Sequence, residues 1–244
     1  NKAAKVVIYC YEDGSRGRDA LRHILGESQI KALQSDGYNV YMYLDDRLED
    51  IDHLCCLAHA RAKFKYALEQ GADEDAGYFL DCIGELYRLE AEYEKGKLTA
   101  EQIKICRGSL KTKEIIIRFR SKLDSMLSEG HPPRGDFMEK ALRYMKTFWK
   151  QLFAYTKDGS YTIDNSLAER FIRPLAGERK NSLFFGSDKM AGVSAAYHTI
   201  ISTCRMQGIS VLEYLRSFFR EIVKGRRDYK NLLPMTIGIN NNKL

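Results

Sequence analysis

Residues 5–11 (KVVIYCY) form a short apolar, β-branched and aromatic run, the pattern of a buried strand. EDGS at 12–15 reads as a turn. A helix is predicted over 16–25, with Ala20, Leu21, Ile24 and Leu25 on one face and Gly26 where it would stop. Two further strands are predicted, at 30–35 running into Asp36-Gly37, and at 53–57. The order strand, helix, strand implies an α/β sheet.

After Ala58 the period changes to that of a helix and stays there to about 157. Phe79, Ile83, Leu86 and Tyr87, with Leu89 and Tyr93 beyond them, recur at helical spacing, as do Met138, Leu142, Met145 and Trp149. These stripes read as core faces. HPPRG at 131–135 is the clearest loop between helices, and KDGS at 157–160 is a turn. Asp164-Asn165 is a helix N-cap signal, and Pro174 is expected to end or kink the helix that follows. Ser210 to Glu213 reads as a capping box opening a last helix, with an apolar face of Val211, Leu212, Leu215, Phe218, Phe219 and Ile222 and a stop at Gly225. The tail INNNKL is polar and expected to fray.

The length of 244 residues admits one large or two small domains, and 44% hydrophobic residues suffice for a core. No run is apolar enough to span a membrane, so no membrane partner is expected. The start has neither a signal-peptide plan nor an initiator Met, which suggests a piece of a longer protein. A net charge of +6 permits binding to phosphate backbones without requiring it. The six cysteines include no CxxC pair and no zinc spacing, and read as buried free thiols of a reducing, cytoplasmic protein.

Two positions stand out. Asp36 closes a strand and is followed by Gly, where α/β sheets place ligands. Glu169 is expected in the second turn of a capped helix, with Arg173 four residues on along the same face. On residue pattern alone the plainer reading is a strand end and a solvated ion pair.

These segments resemble the insertion-sequence-66 family of bacterial DDE transposases, in order along nearly the whole chain. LQSDGYNVY is similar to that family's LQTDGYAGY-type segment, and CLAHARAKF, from Cys56, to its CWAHARRKF-type segment. IDNSLAERFIRP followed by GERKNSLFFGSD is similar to its DNNAAERAIRP and GRKNWLFAGS run. QGISVLEYL is similar to its closing NGVDPQAYL-type helix.

The resemblance implies an RNase H-like α/β fold: a mixed sheet with a large all-helical insertion and a helical C-terminal segment. Its expected boundaries are 1–57 for the first part of the core, 58–157 for the insertion, 158–205 for the rest of the core with the Glu-bearing helix, and 206–244 for the C-terminal helix and tail. It implies three carboxylates holding two Mg²⁺ (or Mn²⁺) ions, with Asp36 matching the second acid and Glu169 the third. Hard carboxylate oxygens suit Mg²⁺, and a two-metal site serves in-line displacement at phosphorus.

The family's first acid lies upstream of the sequence matching Lys5, so this chain by itself is expected to be inactive. Arg170, Arg173, Arg179 and Lys180 flank Glu169 and are expected to meet DNA phosphates. A later group, Arg216, Arg220, Lys224, Arg226, Arg227 and Lys230, reads as ordinary surface, and His59 as a packed or capping residue. The implied partners are transposon-end and target DNA, accessory proteins of the same element and a homo-oligomer on DNA. Two rival readings are a non-catalytic DNA-binding remnant and a helical interaction module at 58–157.

Overall fold

The computed structural model describes residues 4–15, 17–26, 29–37, 51–128, 130, 134–182 and 185–238, with the backbone alone for Arg179 and Ser182. The chain divides into two compact units, one of residues 27–166 and one of 1–26 with 167–244.

The 27–166 unit holds the sheet. Strands β1 (Ala32–Ser35) and β2 (Asp52–Cys55) pair in parallel, with Ala32 opposite Asp52 and Ser35 opposite Cys55. β2 stops two residues earlier than its apolar run suggests, because Leu57 already opens helix α2 (Leu57–Glu69). There follow α3 (Asp75–Lys95), α4 (Ala100–Arg107), α5 (Leu110–Met126), α6 (Asp136–Thr147), α7 (Trp149–Phe153) and a 3-10 turn (Ala154–Lys157). Among the described residues 66% are helical, and in this unit the helices supply the core with the two strands on it. Mixed α/β architecture is thus present, whereas the described strands make only a two-stranded parallel sheet.

The core is aromatic at its centre. Phe64 stacks on Phe79 with ring centroids 4.5 Å apart, Phe79 meets Phe119 at 5.0 Å, and Phe119 meets Trp149 at 5.8 Å. α2 lies against α3 and α6, and α7 against β2. The stripes from Phe79 to Tyr93 and from Met138 to Trp149 line this core. Thr99 caps α4 in a reciprocal box with Gln102. Buried Arg107 at the end of α4 forks onto both oxygens of Glu90 at 2.8 and 2.6 Å. It also donates to the carbonyls of Tyr155, Asp158 and Tyr161. One guanidinium thereby ties two helices to the turn at 158–161.

The other unit begins with residues 5–11. They form no ladder with another strand among the described residues, contrary to their strand-like pattern. Among the described residues this segment bonds instead to side chains of a helix. The N–H groups of Val7 and Tyr9 donate to the hydroxyls of Thr203 and Thr199 on α9 (Asp188–Gln207), at 3.2 and 2.9 Å. Two residues of extended chain advance about 6.6 Å and four residues of helix about 6 Å, so the rungs match. The turn after Glu12 forms as read, with Ser15 N–H on the Glu12 carbonyl. Helix α1 (Arg18–Leu25) stops at Gly26, but buries Ala20 and Leu21 only.

Helix α8 (Ser166–Ser182) continues past Pro174 rather than ending there. Proline removes one N–H to the carbonyl of Arg170, but that residue is exposed, so water can serve the freed oxygen. Helix α10 (Val211–Val223) starts on Ser210, whose hydroxyl accepts from Glu213 N–H, and stops before Gly225 at φ +90°. Its expected core face is not buried as a whole: Tyr214 alone is fully buried, while Leu212 and Phe219 are exposed.

Candidate functional site

β1 delivers Asp36 one residue past its end. Ser35, the last strand residue, is held on several sides. Its hydroxyl bonds His53 Nε2 at 3.0 Å and accepts Gly37 N–H at 3.2 Å, and its carbonyl accepts Cys56 N–H at 3.0 Å. Cys55 lies 3.9 Å from both the serine hydroxyl and the histidine nitrogen. The Asp36 carbonyl accepts a hydrogen bond from the Tyr144 hydroxyl of α6 at 2.9 Å. Gly37 is in the left-handed region at φ +85°, and a Cβ there would stand 2.5 Å from the Tyr144 oxygen. The turn therefore needs Gly twice over, for its dihedral and for the phenol. The main chain of Asp36 is fixed from both flanks, and the residue itself is exposed.

Burial pushes the Tyr144 phenol up, helped by the neighbouring Cys55, Cys56 and Asp36, so it stays a proton donor at working pH. Lys63 of α2 stands 4.9 Å from the centre of its ring.

The approach to Glu169 is stitched to the same corner. Gln34 of β1 and Thr162 exchange two hydrogen bonds, Nε2 to the Thr162 carbonyl at 3.0 Å and the threonine hydroxyl to Oε1 at 2.5 Å. Leu57 N–H donates to the Ile163 carbonyl at 3.1 Å. The Cys56 thiol accepts Asn165 N–H at 3.4 Å. Cys56 thus bonds Ser35, next to Asp36, through its N–H, and Asn165, just before α8, through its sulfur. Asp164 accepts Ser166 N–H at 2.9 Å and the Tyr87 hydroxyl at 2.8 Å, which orients the first turn of α8. Burial and the bond to Asp164 hold the Tyr87 phenol protonated.

Glu169 lies in the first turn of α8, one turn earlier than expected, where the positive end of the helix favours an acid. It belongs to the other unit, since the division falls between Ser166 and Leu167. Arg170, Arg173 and Lys180 are exposed on the same helix, and the Arg179 side chain lies outside the described residues. Glu178 is committed to His198, 2.6 Å away. In the later basic group, Arg216 pairs with Glu213, Lys224 with Glu221 and Arg226 with Asp228, in keeping with ordinary surface. His59 Nδ1 is buried and meets no hydrogen-bond partner among the described residues.

Sequence reading missed Tyr144 and Cys56. Tyr144 lies off the apolar stripe of α6, and its partner is 108 residues away, so no local signal marks it. The adjacent cysteines carried only the signal of buried thiols.

A family model described as Transposase IS66 family matches residues 1–192. The chain belongs to this family. Three proteins of Sinorhizobium fredii are similar along most of its length. Uncharacterized protein y4qI is 33% identical over 227 residues, covering 90% of this chain and 41% of that protein. Uncharacterized protein y4jD is 25% identical over 240 residues, covering 95% and 46%. Uncharacterized protein y4hP is 28% identical over 238 residues, covering 90% and 41%. The chain thus spans less than half the length of the relatives it matches. No solved structure matches it. No helix among the described residues is long and apolar enough to cross a membrane. Those residues also contain no cluster of three or more His, Cys, Asp or Glu gathered to hold a metal ion.

Proposed function

We propose that this chain is part of the DDE-type catalytic region of a DNA transposase, in which Asp36 and Glu169 are two of the metal-binding acids. The supporting observation is the double role of Cys56, which bonds the residue before Asp36 and the residue before the Glu169-bearing helix. An acid just past a parallel strand and an acid in the first turn of a helix both supply hard oxygen ligands of the kind Mg²⁺ takes. Two carboxylates do not complete such a site. A third acid comes from elsewhere in a longer protein, as expected of a chain covering 41% of y4qI.

Bound divalent ions supply charge neutralisation and activation of oxygen nucleophiles in phosphodiester hydrolysis and strand transfer. The chain's own residues position and steer. Ser35 and Tyr144 hold the Asp36 turn, Asp164 and Cys56 set the start of α8, and Arg170, Arg173, Arg179 and Lys180 neutralise DNA phosphates beside Glu169. Transposon ends and target DNA are the substrates, with accessory proteins of the element as further partners.

The test is Asp36→Asn and Glu169→Gln in the full-length protein, assayed for Mg²⁺-dependent cleavage and joining of transposon ends. Both variants should lose at least a hundredfold in rate, on the order of 3 kcal/mol in barrier, while DNA binding and fold persist. Mn²⁺ affinity, read by paramagnetic relaxation, should fall with each. Unchanged joining by Glu169→Gln would falsify the assignment. A wild type that binds DNA but neither metal nor strand-transfer product would leave the non-catalytic remnant instead.

A further inference from the structure

We infer that His53 is a positioning residue for Asp36, acting through the Ser35 hydroxyl. Its consequence for catalysis rests on the reading of Asp36 as a metal ligand. Side chains alternate along a strand, and the parallel register sets Leu33 beside His53 and Ser35 beside Cys55, all four on one face. His53 and Ser35 are each only 4% exposed. An imidazole and a hydroxyl taken so far out of water are costly unless they bond, whereas β-branched apolar residues would pack on a strand without that cost. The two do bond, Nε2 to Oγ at 3.0 Å.

A serine hydroxyl has one proton and two lone pairs. Gly37 N–H, at 3.2 Å, takes one lone pair and closes a turn with Asp36 between its ends. Turns held by a serine side chain are weak by themselves. Of the staggered positions open to that side chain, one points its oxygen at Gly37 N–H. The bond to His53 uses the proton or the second lone pair, and either direction fixes the side chain in that position. Cys55 Sγ, 3.9 Å from both atoms, is too distant and too weak a partner to do the same. The relay from imidazole to hydroxyl to amide therefore ends on the main chain just past Asp36. Just before Asp36, the Ser35 carbonyl is fixed by Cys56 N–H. A carboxylate that serves a metal ion must be held to within about 0.5 Å. His53 supplies part of that constraint through the main chain.

The experiment compares His53→Gln, His53→Asn and His53→Leu. Glutamine carries a polar atom about as far out as Nε2 and can keep the bond to Ser35, asparagine is one bond too short, and leucine has no polar atom. Amide exchange at Gly37 in the full chain should quicken at least about fivefold in the leucine and asparagine variants. It should stay within about twofold of the wild type in the glutamine variant. The Asp52 amide, bonded to the Lys31 carbonyl at the far end of the strand pair, should be unchanged in all three. Ser35→Ala should quicken Gly37 alike, and adding His53→Leu to it should quicken it no further. In the full-length protein, His53→Leu should lower kcat for Mg²⁺-dependent joining at least about tenfold, with KM for transposon ends unchanged. His53→Gln should restore it. Should leucine unfold the unit, the glutamine and asparagine pair carries the same comparison. Gly37 exchange that ignores His53→Leu, or effects that multiply when both residues are changed, overturn the relay whatever Asp36 does. Undiminished joining by His53→Leu, where Asp36→Asn is inactive, overturns the positioning role. A harmless Asp36→Asn instead overturns the metal-ligand reading, and Gly37 exchange still decides the relay.

Discussion

The two units spend their apolar residues in opposite ways. The 27–166 unit gathers most of them inward, with Phe64, Phe79, Phe119, Leu123 and Leu142 wholly excluded from solvent, although Ile105, Leu110 and Ile117 stay exposed. The other unit fully buries few, among them Ala191, Cys204, Tyr214 and Leu232, and leaves Ile8, Ile172, Met190, Leu212, Phe219 and Val223 exposed. Both are made of helices with similar propensities, so the difference lies in how many faces find a partner. The first carries its own core. The second is also held by side-chain bonds to single helices, such as those of Thr199 and Thr203 with residues 9 and 7.

The sharpest way to break this contrast is one substitution made twice. Phe119→Ala empties a fully buried site in contact with Phe64, Phe79 and Trp149, and should cost about 3–5 kcal/mol in denaturant unfolding. Phe219→Ala removes the same atoms at 56% exposure, and in dilute solution should cost less than about 0.5 kcal/mol. Equal losses would mean that the second unit hides a core of its own.

Next in size is Gly37→Ala. It strains a positive-φ residue and drives a methyl against Tyr144, for a loss of about 1–3 kcal/mol. Tyr144→Phe in the same chain should recover part of it by removing the nearest atom. Hydrogen exchange at β1 reads both.

Acid should then act on both units, since Arg226 and Asn231 also hold Asp228 low in the second. The Lys31 hydrogen bond, with Ser160, holds Asp158 well below the usual carboxylate range. Lys122 and Arg134 lower Asp75 against the opposing effect of burial. Burial raises Asp52, but bonds from Lys157 and Tyr161 outweigh it and the net shift is downward. Carboxylates depressed in the folded state add stability above the ordinary value, near pH 4, and lose it as pH falls through their lowered values. Circular dichroism of the helices should hold steady to about pH 4 and decline below it.

The smallest effect has the opposite sign. His23 is raised by its hydrogen bond to Glu12. Its contribution to anchoring α1 is complete below the ordinary histidine value and is lost as pH rises through the raised one. Amide exchange in α1 should quicken across that window, after correction for intrinsic rates, and His23→Ala should abolish the change.

Much of this was legible in the chain. Helical periodicity found the block from α2 to α7, because a stripe that faces one core repeats at 3.6 residues whatever its neighbours are. β1 and β2 were found to within two residues, as was the Gly37 turn. What escaped was decided at long range. Residues 5–11 have strand composition, yet their hydrogen-bond partners are threonines nearly two hundred residues on. Pro174 carries a stop signal that exposure to water overrides. The stripe of α10 has the period of a core helix, and period does not reveal whether a core is present. The candidate acids were legible chiefly by resemblance. The hydrogen bonds of Cys56 and Tyr144 join segments that no local pattern connects.

Tyr144 carries one last consequence. A helix from deep within the long stretch between β2 and α8 bonds the main chain of Asp36, so that stretch is no detachable cassette. Trimming the molecule toward a minimal strand-and-helix core would remove the clasp along with the surplus. A helical block grafted from a relative would have to bring a hydroxyl to the same place, or leave that carbonyl without it.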